Sequence, residues 1–479
     1  MYIINKLKNK IEDSCIEDSI DFAYYLGEVL FYNEIPLFDL SLIEDNLIAR
    51  VLECTEFDFE PPPDVNAFLF VVSQPYITGG HTRLMENLSL MIDERRNLLI
   101  TRGANADIKE RLTNYFSKVN ECYRQENEKS IAFIIRLVNE ITQYKKIVLN
   151  THPEDIFTVI ACGIAKKLNK DLKIYFVNHA DHAFSYGASI ADFWFEISLY
   201  GHETDNLRNI KGKRSFIGIP INKPDDYFFE QIIYPKLEDI TNFVTAASAT
   251  KYKPYKNSSI LSLLDSVLRE REDIKIDVIG VNMFWNYWWW PLKLRFFNRL
   301  KLHRSLPYEE YMNVTSKADC YIDSYPMPGG TAFVEQLIQG IPCIGLRSDF
   351  FGYTPLEKIK KNTAAEIIEM LKNPPNQEEI EGIQNLVFKV HGFSQVKNRF
   401  LSTINDDVVF HNPMKDHLEV KKLRDDRKEK VALSSGFIDF LFKFDRELFW
   451  EIIYKTDMSA IIKLPLSKVY YFLKARFKN

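Results

Sequence analysis

The chain has 479 residues, room for two or three domains at about 150 residues each. Its 46% hydrophobic and 27% charged residues suit a globular protein with a core, and a net charge of −5 excludes the basic footprint of a general nucleic-acid binder. The six cysteines, Cys15, Cys54, Cys122, Cys162, Cys320 and Cys343, form no CxxC pair, which excludes a zinc or disulfide framework and leaves reduced, buried thiols as the expectation.

No stretch reaches the ~18 apolar residues of a membrane span, and the N-terminus opens no secretory apolar region, so a cytoplasmic chain is expected. Residues 1–63 read as a helical extension, with apolar residues at three- and four-residue spacing from Ile20 to Val51. Pro61-Pro62-Pro63 stops any helix and sets a boundary. A first alternating unit occupies 64–235. Its strands are expected at Ala67–Val72, Asn97–Thr101, Lys146–Leu149, Leu172–Val177, Phe195–Leu199 and Ser215–Ile219, with amphipathic helices between them.

A second unit occupies 240–390, with strands at Asn242–Ala246, Ile274–Val281, Ala318–Ile322 and Pro342–Leu346. Apolar strands alternating with helices imply parallel sheets covered on both faces: an α/β chain of two Rossmann-like, doubly wound domains facing across a cleft. A closing helix is expected at 391–404. Residues 405–479 read as a helical basic and aromatic tail. From Lys463 onward the tail has five cations and no acid, the pattern either of a peripheral membrane segment or of a packed helix with a solvated basic face.

The segments with chemical character sit at strand ends. Pro328-Gly329-Gly330-Thr331 joins a strand to a helix. Two glycines allow close backbone approach, and the helix start offers unpaired N–H groups for an anion such as a diphosphate. Thr331 suits a cap or a hydroxyl donor, and Glu335, one turn on, suits a ribose. The plain alternative is a capped helix after a tight turn. Lys251 and Lys253 follow the Asn242–Ala246 strand and suit phosphate. Gly79 and Gly80 open a helix after the first strand, followed by His81.

His179, Asp181 and His182 follow the Leu172–Val177 strand. Together with His81 they are the catalytic candidates, the first three as bases for an acceptor hydroxyl. Glu154 and Asp155 suit the first turn of a helix. The aromatic run from Phe284 to Trp290 carries no catalytic assignment. It suits stacked sugars, a membrane interface or a core.

The stretch from Asp319 to Leu337, followed by Gly340-Ile341-Pro342, is similar to the donor-binding segment of GT-B glycosyltransferases, above all the O-GlcNAc transferase-like family. It also resembles the E-x7-E retaining family, with Glu335 as the second glutamate, but Met327 stands where the first would be. His303 and its neighbour Arg304 resemble the GT-B segment that reads the base, and Gly79-Gly80 the glycine turn of the acceptor domain.

The resemblance implies transfer of a sugar from a nucleoside-diphosphate sugar, a UDP-sugar foremost, to a hydroxyl of a glycan, lipid-linked glycan or protein acceptor in bacterial surface glycan synthesis. No metal is required by such a fold, since helix dipoles and cations stabilise the leaving diphosphate. A nucleotide-sugar epimerase and a non-catalytic sugar-binding assembly partner are the rival readings.

Overall fold

The computed structural model describes residues 2–33, 35–57, 66–77, 80–421, 423 and 431–453. The proline boundary at 61–63, Gly79 and the basic tail from Lys463 lie outside them.

The first sheet has seven strands: β1 Phe68–Val72, β2 Arg96–Ile100, β3 Lys118–Glu121, β4 Lys146–Asn150, β5 Lys173–Val177, β6 Phe193–Glu196 and β7 Lys213–Phe216. They run parallel in the order β3-β2-β1-β4-β5-β6-β7. Every side chain of β1 is buried, as a central strand covered by helices on both faces requires. The second sheet has five strands: β8 Asn242–Ala246, β9 Lys275–Ile279, β10 Leu300–His303, β11 Cys320–Ile322 and β12 Cys343–Ile344. Their order is β10-β9-β8-β11-β12, again all parallel. Both sheets reverse direction of growth beside their first strand, between β1 and β4 and between β8 and β11. That is where doubly wound folds open a crevice for ligands.

Strands β3 and β10 were not expected. Both are edge strands, and β3 has no buried residue, so no continuous apolar run marks it. The strand expected at Phe195–Leu199 lies at Phe193–Glu196. Leu199 instead starts a helix (Leu199–Asp205) capped by Ser198, whose Oγ accepts from Gly201 N at 2.8 Å. The expectation of buried thiols is corrected at two positions: Cys15 and Cys54 are exposed, on the outer helical layer.

The N-terminal helices Tyr2–Asp13, Ile16–Tyr32 and Ser41–Cys54 share one core with helices Ser130–Ile141 and Ile156–Leu168 of the first domain. Two C-terminal helices, Ser435–Phe444 and Arg446–Ile453, join the same core. Phe440 meets Phe22 edge-on at 5.0 Å, and Asn33 exchanges two hydrogen bonds with the backbone of Ala432, at 2.9 and 2.8 Å. Helix Phe393–Asp406 leaves the second domain and returns to the first, burying Val396, Phe400 and Ile404 against Phe68 and Phe70. The first domain is thus packed by helices from residues 2–54 and 435–453. Among the described residues, no helix is long and apolar enough to cross a membrane.

Candidate functional site

One cavity of about 180 Å³ lies where the loops after the strands of both sheets meet. The first domain contributes Gly80 and His81 from the helix after β1, His179 and His182 from the loop after β5, and Ile197 from the segment after β6. The second contributes Lys251 after β8, Met327, Pro328, Gly330 and Thr331 after β11, and Phe350 and Tyr353 after β12.

The turn after β11 is held by Asp323, whose Oδ1 accepts from Ser324 N at 2.8 Å and Gly329 N at 2.9 Å. A Cβ at position 329 would stand 2.9 Å from that same oxygen, so glycine is what lets the turn close on its own carboxylate. Lys360 pairs with Asp323 at 2.7 Å, both buried. Ser324 Oγ donates to Met327 O at 2.8 Å and Ser348 Oγ to Pro326 O at 2.5 Å, so the loop is braced from two sides.

Helix Thr331–Ile338 then starts at the cavity with Gly330 as its N-cap, which has no side chain to cap its first amides. Helix Gly80–Ser89 starts at the same cavity from the opposite domain. Two helix N-termini, each with the partial positive charge of its backbone dipoles, therefore converge on one space. Lys251 adds an ammonium. Its Nζ donates to Pro328 O at 2.9 Å, and burial pulls its pKa down against the pull of Asp323.

Three imidazoles of the first domain also line the cavity. His81 and His179 stack at 5.3 Å, and His81 Nε2 lies 3.0 Å from Gln74 O. His182 meets the Phe350 ring edge-on at 5.8 Å. Burial lowers the pKa of all three. His182 falls to about 4, helped by Lys251 and Arg208, and His179 falls well below its ordinary value, helped by its histidine neighbours. At neutral pH the rings are uncharged and able to accept a proton. Among the described residues, His179 Nδ1 is buried without a hydrogen-bond partner at the cavity wall.

Asp181 takes a different position. It is fully buried behind the cavity, accepting from Tyr353 OH at 2.7 Å through Oδ1 and from Ser198 Oγ through Oδ2. Burial pushes its pKa up to about 6 against these hydrogen bonds. Because Tyr353 belongs to the second domain, this carboxylate ties the two domains together. A backbone bond from Leu199 N to Gly352 O at 2.8 Å lies alongside.

The remaining described sequence-derived candidates do not line the cavity. Glu335 pairs with Arg83 of the first domain at 3.5 Å and is mostly buried. Gly329 shapes the turn from behind. Lys253 is exposed, and His303, at the end of edge strand β10, bonds Asp277 at 2.5 Å. Asp155 caps helix Ile156–Leu168, accepting from Thr158 N at 3.2 Å, whereas Glu154 pairs with Arg102 at 2.6 Å. Phe350 and Tyr353 were not read from the sequence; the available signal was a polar and aromatic loop directly after an apolar strand. Among the described residues, no three His, Cys, Asp or Glu side chains cluster so as to hold a metal ion.

No protein-family model matches the sequence, and no curated protein matches it. Solved structures share its fold. Anabaena HepE in complex with UDP superposes with a TM-score of 0.52 over 71% of this chain and 100% of that one, at 13% identity. The lipopolysaccharide outer core galactosyltransferase WaaB gives 0.51 over 71% and 100%, at 15% identity. A Thermobaculum terrenum O-GlcNAc transferase mutant gives 0.50 over 85% and 82%, at 13% identity. The likeness establishes the architecture as two Rossmann-like domains in the GT-B arrangement.

Proposed function

We propose that this chain is a glycosyltransferase, moving a sugar from a nucleoside-diphosphate sugar, with UDP-sugars the first candidates, to an acceptor hydroxyl in bacterial surface glycan synthesis. The observation that carries the reading is the convergence of two helix N-termini and the Lys251 ammonium on one interdomain cavity. That set of partial and full positive charges suits the developing negative charge of a leaving diphosphate without a metal. The fold shared with a galactosyltransferase and a UDP complex supports the same reading.

In the proposed mechanism the amides of Gly330, Thr331 and Gly80 and the ammonium of Lys251 hold the diphosphate. Thr331 Oγ1 adds a hydroxyl donor. As the sugar carbon–oxygen bond to the diphosphate breaks, the acceptor oxygen bonds that carbon and its proton passes to a neutral imidazole, His182 or His179. Asp181 acts as a positioning residue through its bond to Tyr353, and Glu335, held by Arg83, remains the candidate for the ribose hydroxyls. At about 180 Å³ the cavity is below the roughly 300–1,000 Å³ of drug-sized ligands, so it suits the diphosphate and sugar, with the nucleoside extending along the cleft.

A thermal-shift screen of UDP-, GDP-, CMP- and dTDP-sugars tests the reading. One donor class should raise the melting temperature, and Thr331→Ala should shrink that rise. No shift and no turnover with any donor would remove the transferase reading in favour of a non-catalytic one. Conversion of a donor to its epimer without acceptor would select the epimerase.

A further inference from the structure

The excursion between β9 and β10 takes no part in the cavity wall. From Val278 to Tyr308 the chain has no acidic residue, yet it carries Lys293, Arg295, Arg299, Lys301 and Arg304. It folds as a short 3-10 turn, Tyr287–Trp289, and a helix, Trp290–Arg295. Two apolar side chains pin it to the second domain. Trp289 is buried edge-on against Tyr252 at 5.6 Å, and Leu292 is buried in the same core. Side chains around these anchors project to solvent: Phe284 is 82% exposed, Leu294 77% and Trp285 75%, with Met283, Tyr287, Trp290 and Phe297 exposed beside them. One exposed apolar side chain is ordinary, but seven within a fifteen-residue excursion mark a contact surface.

The charges decide what the surface fits. Among the described residues, acids reach it from neighbouring elements: Asp265 pairs with Arg295 at 3.0 Å, and Asp277 bonds His303. Arg299 is spent on the backbone carbonyl of Ile274 at 3.0 Å and on those of Leu268 and Arg271. Lys293 donates to Phe297 O and Leu300 O, so its charge stays within the excursion. Lys301 and Arg304 are exposed at its far end. Protein contact surfaces also use Trp, Tyr, Met and Arg, so it is the absence of any acid in the segment that favours an anionic surface. Exposed Trp, Tyr and Phe beside cations, in a segment without acids, are the chemistry of an anionic bilayer interface.

We propose that residues 283–304 form a membrane-interface patch. The aromatic rings settle among the headgroups of an anionic bilayer while Lys301 and Arg304 meet lipid phosphates. Tyr252, which anchors the patch, directly follows Lys251 of the cavity, so docking brings the cavity beside the lipid surface. The patch is independent of the donor chemistry and separate in sequence from the basic tail.

The test is co-sedimentation of the full chain with vesicles of phosphatidylcholine alone and of phosphatidylcholine with phosphatidylglycerol. The full chain should sediment with the anionic vesicles and much less with the neutral ones. Replacing three exposed side chains together, Phe284→Ser, Trp285→Ser and Leu294→Ser, should lower partition by about tenfold or more, because most of the inserted apolar area is lost. Circular dichroism melting checks that this variant is folded. Should it not fold, the pair Lys301→Gln and Arg304→Gln should remove the preference for anionic vesicles. Failure of the full chain to sediment, or binding by the variants equal to the full chain, would overturn the proposal. Self-association abolished by the triple variant, without vesicle binding, would assign the surface to a second copy and overturn it equally.

Discussion

Replacing Tyr353 with phenylalanine removes one hydroxyl and tests how the two domains are held. That hydroxyl donates to the buried Asp181 carboxylate at 2.7 Å. A hydrogen bond to a charged group contributes about 1.5–3 kcal/mol, and 1.36 kcal/mol corresponds to one pH unit, so the variant should titrate Asp181 about one to two pH units higher. Asp181 already titrates at about 6, above the ordinary aspartate value of 3.8, because burial opposes its charge. Its contribution to stability is therefore complete below pH 3.8 and is lost as pH rises through about 6. The variant should lose more on the alkaline side, so its deficit against the parent chain should be about 1–2 kcal/mol larger at pH 8 than at pH 5. Urea unfolding of both proteins at the two pH values, followed by tryptophan fluorescence, measures the difference. A deficit equal at pH 5 and pH 8, or none at all, would refute the claim that this hydroxyl supports a charged carboxylate.

Lys251→Met should weaken UDP binding by about tenfold to a hundredfold, the worth of one charge-assisted hydrogen bond, and calorimetric titration reads it directly. Unchanged affinity would take Lys251 out of the diphosphate site. His182→Gln should lower kcat by roughly 10²–10⁴ while leaving donor affinity intact. A loss of that size from His179→Gln alone would move the base there. Because Asp181 titrates at about 6 and His182 at about 4, protonating the positioning carboxylate should change the rate near pH 6, and loss of the neutral imidazole should abolish it only as pH drops through about 4. In the Asp181→Asn variant, a rate falling through the ordinary histidine range would contradict that assignment. Gly352→Ala should cost about 1–3 kcal/mol in denaturant unfolding. Position 352 has φ of 72°, and a Cβ there would stand 2.2 Å from Leu199 Cβ in the other domain, so a stable variant would show that the two loops can separate freely.

Much of the architecture follows from local pattern. Strands β1, β4 and β5 are buried on both faces, so they had to be near-continuous apolar runs, and the helices between them had to carry one apolar stripe. The turn at Gly329 and Gly330 was legible for a similar reason: backbone approach and a helix start are short-range properties. The edge strands β3 and β10 were not, because a strand paired on one side and open to solvent keeps no apolar signature. The roles inside the candidate site were hidden more deeply. His179, Asp181 and His182 are neighbours in sequence with similar chemical promise, yet only the histidines reach the cavity, while Asp181 meets a tyrosine 172 residues away.

Glu335 likewise has a partner that local sequence does not show, Arg83 of the other domain. Local sequence determined which segments become strands, helices and glycine turns, because those depend on side-chain spacing and backbone freedom. Tertiary structure alone decided which polar groups face the cavity and which are bound behind it, because burial and charge partners are set by contacts between residues far apart in the chain.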